Sequence, residues 1–172
     1  MAGRLQGKTA IVTGAGSIGP GWGNGKATAV LYAREGARIL AVDLNPEAAR
    51  ETHSLIRAEG GTAEWIEADV SRSADVQAVV RRCIELYGAI DILHNNVGIV
   101  EVGGPVEISE ENWDRLMAVN VKSVYLTCKY AIPHMLAAGK GSIVNFGSIS
   151  WMILVGDLSA YTASKAAMHG LS

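Results

Sequence analysis

The chain has 172 residues, room for one hydrophobic core and little for a second, so a single domain over 1–172 is expected. Fifteen Lys and Arg against 17 Asp and Glu give a net charge of −2 with no like-charge run, which removes the basic footprint that nucleic acid or an anionic membrane would require. Hydrophobic residues at 49% suit a folding chain, and glycine is the outlier: 20 residues, about 12% against a usual ~7%, six of them between Gly14 and Gly25.

In chain order, the apolar run Thr9 to Thr13 stops at Gly14 and reads as a short parallel strand covered on both faces. A helix is expected from Lys26 to Glu35, closed by Gly36, and then a second strand from Arg38 to Asp43. Pro46 sits where a first helical residue is tolerated, and that helix runs to about Glu59. Ala63 to Ala68 is a third strand, Ser73 to Tyr87 a helix ended by Gly88, and Ile90 to His94 a fourth strand. A long helix from Ser109 to about Ala138, bent at Pro133, leads to a fifth strand, Ser142 to Phe146. The last helix starts near Ser159 and is still running at Ser172. Five strands alternating with helices argue an α/β fold: a Rossmann-like, doubly wound parallel sheet.

Some chemistry is disfavoured at once. Cys83 and Cys128 lie 45 positions apart in helical stretches, with no C-x-x-C pair, and read as buried, reduced thiols. His53, His94, His134 and His169 share no ligand spacing, so no metal site and no catalytic histidine is expected. No apolar segment of signal-peptide length precedes the glycine loop, and the longest apolar run, Trp151 to Val155, is five residues. A cytoplasmic protein with no membrane partner is the expectation.

Gly14-Ala15-Gly16-Ser17-Ile18-Gly19 matches G-x-G-x-x-G, a short string that gains weight from its place between a strand and a helix. An acid, Asp43, closes the second strand 24 positions beyond Gly19, near the separation of about 20 expected for a dinucleotide site. The letters mislead in one respect. Pro20-Gly21-Trp22-Gly23-Asn24-Gly25 follows, and each glycine inside a helix would cost roughly 1 kcal/mol, so the helix should begin near Gly25. The expectation is an enlarged loop in which Gly14 makes the turn and Gly23, Asn24 and Gly25 bring backbone N–H groups and the helix dipole to a pyrophosphate, with Trp22 at the tip or over the cofactor. A G-x-x-x-x-G-K-[ST] loop is disfavoured because Pro20 stands five before Gly25 and Ala27 follows Lys26. Asp43 can accept from the adenosine ribose hydroxyls and would repel a 2′-phosphate, favouring NAD over NADP; its rival reading is a cap in a strand-to-helix turn.

Tyr161 and Lys165 are four apart on the last helix and share a face, and Ser148 lies thirteen residues before Tyr161. Ser150 is a competing serine at the less suitable spacing of eleven. With these residues, the chain resembles the classical short-chain dehydrogenase/reductase family. The resemblance rests on Thr13-Gly14 with Gly25, Asp69-Val70, Asn95-Asn96-Val97-Gly98, Asn120 in Val119-Asn120-Val121, and Ser148 with Tyr161-Thr162-Ala163-Ser164-Lys165. It implies an NAD-dependent oxidoreductase that interconverts a secondary alcohol and a ketone by hydride transfer. The implied catalytic residues are Asn120, Ser148, Tyr161 and Lys165. Gly14, Gly23, Asn24, Gly25, Asp43, Asp69, Val70, Asn95 and Gly98, with Tyr161 and Lys165, would hold the cofactor. A phenol ordinarily ionises near pH 10, so one that exchanges protons near neutrality needs a neighbouring cation, the part Lys165 would take. The resemblance adds that Lys165 holds the nicotinamide ribose, that Asn120 supports a proton relay, and that Asp69 and Val70 bound the adenine.

The chain departs from the family pattern in its longer glycine loop, in Val97 for the usual alanine, and in length. The family form has seven strands, so the resemblance implies a chain incomplete at its C-terminus, with the fifth strand left as an edge. It also implies that the full-length form is a homo-oligomer and that the substrate is a small alcohol or carbonyl compound. A catalytically inactive cofactor-binding or interaction module is the alternative for 172 residues. Ile149, Trp151, Met152, Leu154 and Val155 read equally as an apolar pocket wall or as core.

Overall fold

The computed structural model describes residues 3–153 and 156–172; Leu154 and Val155 of the expected apolar wall lie outside them. Five strands, β1 (Thr9–Thr13), β2 (Arg38–Asp43), β3 (Thr62–Glu67), β4 (Ile92–Asn95) and β5 (Ser142–Asn145), form one sheet in the order β3-β2-β1-β4-β5. All pairings are parallel, with Ile11 opposite Leu40 on one side and Leu93 on the other. This is the alternation read from the sequence, and the chain reverses its direction of winding between β1 and β4, where the strand ends open a crevice.

The strands carry the helices α1 (Asn24–Arg34), α2 (Pro46–Ala58), α3 (Ser73–Tyr87), α4 (Glu110–Met117), α5 (Ser123–Ala137) and α6 (Ser159–Gly170). Every residue of β1 is buried, because helices cover both faces. One cluster joins Ile11, Leu40, Val42 and Leu93 to α3 and α5; the other joins Ala10, Val12, Ile39 and Ala41 to α1 and Ile56 of α2. Alternate residues of β1 and β2 thus feed opposite cores, and no polar face remains on them to produce an alternating pattern. Val144 and Phe146 at the β5 edge stay exposed, as expected of an edge strand. No helix among the described residues is long and apolar enough to cross a membrane.

Two expectations need correcting. The last helix ends at Gly170 rather than running on to Ser172. The segment 109–138 is not a single helix bent at Pro133. Its irregularity lies thirteen residues earlier, where a π-helical turn, Ala118–Lys122, separates α4 from α5, and Pro133 is carried inside α5. The physical reason is Asn120. It is completely buried, so its amide must find partners inside the protein, and one wider turn swings the side chain to where they are.

Candidate active site

The glycine loop shows why each glycine stands where it does. Gly14 turns the chain out of β1 at φ +62, a left-handed conformation open to glycine. Helix α1 starts at Asn24, one residue before the expected Gly25, and no side chain caps it. A Cβ on Gly25 would lie 1.8 Å from the Gly14 carbonyl oxygen, so only glycine lets α1 pack this close to the end of β1. The extra residues 18–22 bulge into solvent, with Trp22 60% exposed at the tip. Ser17 ties the bulge shut, its hydroxyl accepting from Gly23 N–H and donating to the Gly21 carbonyl. Lys26 braces it from below: buried, it donates to the Gly21 carbonyl at 3.2 Å and to Glu51 at 2.6 Å, under the Trp22 ring.

Asp43 sits at the end of β2, facing this loop. Its Oδ2 accepts the Gly16 N–H at 2.8 Å and its Oδ1 the Asn45 N–H at 2.9 Å. The second bond is the turn contact of the rival reading, but Asn45 performs the capping, accepting from the Glu47 and Ala48 amides. Each Asp43 oxygen keeps a lone pair for another donor. After β3, Asp69 Oδ1 accepts from Ser71 through both backbone and hydroxyl, while the Val70 side chain is buried in the core, so only its backbone can face a ligand. Asn95 is likewise buried: Nδ2 donates to Asn145 at 2.9 Å and Oδ1 accepts from Thr127 at 2.8 Å, joining β4 to β5 and α5.

The proposed proton-handling residues converge on α6. Lys165 is buried and donates Nζ to the Phe146 carbonyl at 2.9 Å, just past β5. Burial pushes its ammonium below the ordinary lysine range. Its Nζ lies 5.7 Å from the centroid of the Tyr161 ring one turn earlier. Gly98 leaves room for this: a Cβ there would approach Lys165 Nζ to 3.3 Å and Asn120 Oδ1 to 3.6 Å. Asn120 donates Nδ2 to the Ile99 carbonyl at 2.9 Å and to Ser164 Oγ at 3.0 Å, and accepts the Ile99 N–H at 2.8 Å. Ser164 in turn donates its hydroxyl to the Tyr161 carbonyl at 2.7 Å. The π-helical turn, the 96–99 segment and α6 are therefore locked by one amide.

Ser148 opens a single 3-10 turn, Ile149–Trp151, which packs on α6. Its Oγ accepts the Ser150 N–H at 3.2 Å, and among the described residues its O–H donates to no partner. Ser150 itself is buried, with its hydroxyl unpartnered among the described residues. Ile149 and Met152 are largely exposed rather than core. A cleft of about 630 Å³ between α4 and α6, lined by Ile108, Trp113, Ser159 and Ala163, lies on a different face of α6 from Lys165.

Sequence reasoning passed over four positioning residues. Asn96 donates Nδ2 to the Gly14 carbonyl at 3.0 Å, and its N–H reaches Thr13 Oγ1, fastening the fourth-strand loop to the glycine turn. Ser17, Lys26 and Ser164 are the others. Ser17, Asn96 and Ser164 stood inside the motifs already quoted, and no periodicity marked Lys26. The two cysteines are free, Cys83 buried and Cys128 half-buried, and burial pushes the Cys83 thiol up to about 12, so neither is primed as a nucleophile.

Residues 8–172 match the family model described as short chain dehydrogenase. The chain belongs to the short-chain dehydrogenase family. A short-chain dehydrogenase/reductase from Burkholderia xenovorans superimposes with a TM-score of 0.93 at 46% identity, over 97% of this chain and 66% of that one. A metagenomic short-chain oxidoreductase in complex with NADP gives 0.90 at 37% identity, over 97% of this chain and 74% of that one. A cyclohexanol dehydrogenase of Acinetobacter sp. (strain SE19) is 38% identical over 173 residues, all of this chain and 67% of its own. The chain spans 60–67% of the length of the curated relatives it matches.

Proposed function

We propose that the protein carrying this chain is an oxidoreductase that interconverts a secondary alcohol and its ketone with NAD. The observation that carries the reading is the buried Lys165 ammonium beside Tyr161, bonded to the Phe146 carbonyl at the end of β5, on a helix that Ser164 locks to Asn120. A lysine is costly to bury, and this one ends beside a phenol at the carboxyl ends of the strands. The short-chain oxidoreductase with NADP and the cyclohexanol dehydrogenase, both similar along nearly the whole chain, support a dinucleotide and an alcohol.

The chain's own residues fit a dinucleotide. Gly14 and Gly25 keep the mouth of α1 free of side chains, and an uncapped helix start offers backbone N–H groups and positive dipole to a pyrophosphate. Asn24 and Gly23 flank that opening, and the Asp69–Val70 backbone bounds the adenine side. Asp43, held by two backbone amides, presents its spare lone pairs to ribose hydroxyls and its charge against a 2′-phosphate. Lys26 of α1 and Arg50 of α2 do not compensate, the first engaged by Glu51 and the second by Glu47. NAD is therefore preferred. When bound, the nicotinamide supplies the hydride acceptor or donor.

Ser148 donates its free O–H to the substrate oxygen and holds the reacting carbon in place. Tyr161 takes the alcohol proton during oxidation and returns it during reduction. Lys165 favours negative charge on the phenol oxygen, and Asn120 keeps Lys165 and α6 in place. Turnover of cyclic and acyclic secondary alcohols by the intact protein, followed as NADH or NADPH absorbance, tests the reading. NADH formation with at least one alcohol is expected; none with either cofactor would reject it.

A further inference from the structure

Ser148 and Tyr161 hang on different elements, and Ile149, Met152 and Ile153, which follow Ser148, are 69%, 68% and 52% exposed. The 3-10 turn packs on α6 with Ser150 buried, and an aromatic contact adds to that packing. The indole of Trp151 stacks on the imidazole of His169, with ring centroids 4.3 Å apart and planes 15° from parallel.

The placement of both partners is specific. Ser148 opens the 3-10 turn and Trp151 closes it, so whatever holds the indole holds the whole turn. Tyr161, Lys165 and His169 follow one another at intervals of four along α6 and form one stripe on its surface. The stack therefore fastens the Ser148 turn to the stripe that carries the phenol and the ammonium, one helical turn beyond the lysine. Stacked aromatic rings of this kind resist sliding and tilting, which an aliphatic contact would allow.

We propose that His169 is a positioning residue: through its stack on Trp151 it holds the Ser148 hydroxyl in register with Tyr161. The proposal rests on the roles given above to Ser148 and Tyr161, and it assigns the imidazole a task of shape rather than of proton transfer. A phenyl ring at 169 should serve; a methyl group should not.

The test uses the intact enzyme with His169→Ala, Trp151→Leu, the double variant and His169→Phe, measuring kcat, KM, the single-turnover rate of NADH formation and the Kd for NADH. Each disrupting variant should lower kcat and the single-turnover rate roughly tenfold, with NADH binding within about twofold of the parent. The double variant should be no worse than the weaker single one, because both remove the same contact. His169→Phe should recover most of the rate. A parent-like rate in His169→Ala, multiplying losses in the double variant, or a His169→Phe no better than His169→Ala would overturn the proposal. A parent that binds NADH but turns over no alcohol would instead remove the functional reading beneath it.

Discussion

Replacing Asn120 with alanine should cost the protein roughly 3 kcal/mol. The amide makes three hydrogen bonds, two to the Ile99 backbone and one to Ser164, and it is fully buried. Each bond lost in such a place costs about 1 kcal/mol, and a stranded backbone group more, so the three together approach half the stability of a modest domain. Ser164 keeps its bond to the Tyr161 carbonyl, which limits the damage on α6. Urea unfolding of parent and variant, with midpoint and slope fitted separately, measures the loss. Asn120→Asp sharpens the test: it retains an acceptor for the Ile99 N–H but turns an oxygen on the Ile99 carbonyl. Its deficit should match or exceed that of alanine at neutral pH and shrink as the pH falls and the carboxyl protonates into a donor. A loss below about 1 kcal/mol for alanine would refute the view that this amide joins three segments.

Three further outcomes follow from the same geometry. Asp43→Asn removes the charge set against a 2′-phosphate while keeping an amide acceptor, and the NADP/NAD ratio of kcat/KM should rise about tenfold or more, the equivalent of ~1.4 kcal/mol; an unchanged ratio would remove Asp43 from cofactor choice. Gly25→Ala places a methyl group 1.8 Å from the Gly14 oxygen, so thermal unfolding should show a loss of about 3 kcal/mol and NADH titration weakened binding. His94 is buried beside the Tyr32 hydroxyl, and burial pushes its pKa below the ordinary 6.5. The unfolded chain therefore takes up that proton first, so the stabilisation is complete above about pH 6.5 and is lost as the pH falls below it. Stability of His94→Gln, measured from pH 7.5 to 5, should show a flatter slope than the parent.

The parallel sheet was legible because buried strands and glycine-closed helices punctuate the chain regularly, as at Thr9–Thr13 and Gly88. The start of α1 was legible within one residue, since Gly21, Gly23 and Gly25 could not all sit inside a helix. The π-helical turn was not legible. Nothing in Val119-Asn120-Val121 distinguishes an asparagine that bonds outward from one that reorders its own helix, whereas Pro133 carries an obvious but tolerated signal. Within the candidate site, residue types and spacing singled out Ser148, Tyr161 and Lys165. The supports were hidden because they act across the sheet: Asn96 onto Gly14, Lys165 onto Phe146, and Trp151 onto His169 join positions far apart in sequence.

The central claim is that Tyr161 exchanges the substrate proton beside a bound dinucleotide, and Tyr161→Phe in the intact enzyme tests it most directly. Removing one hydroxyl leaves the ring, the helix and the Lys165 contact with Phe146 in place. The single-turnover rate of NADH formation should fall by about a thousandfold, within the range that the loss of acid–base assistance commonly costs, because no other described group replaces the phenol. NADH affinity should change by less than about threefold, a difference of under 1 kcal/mol. A variant that binds NADH and still forms it at the parent rate would contradict the account.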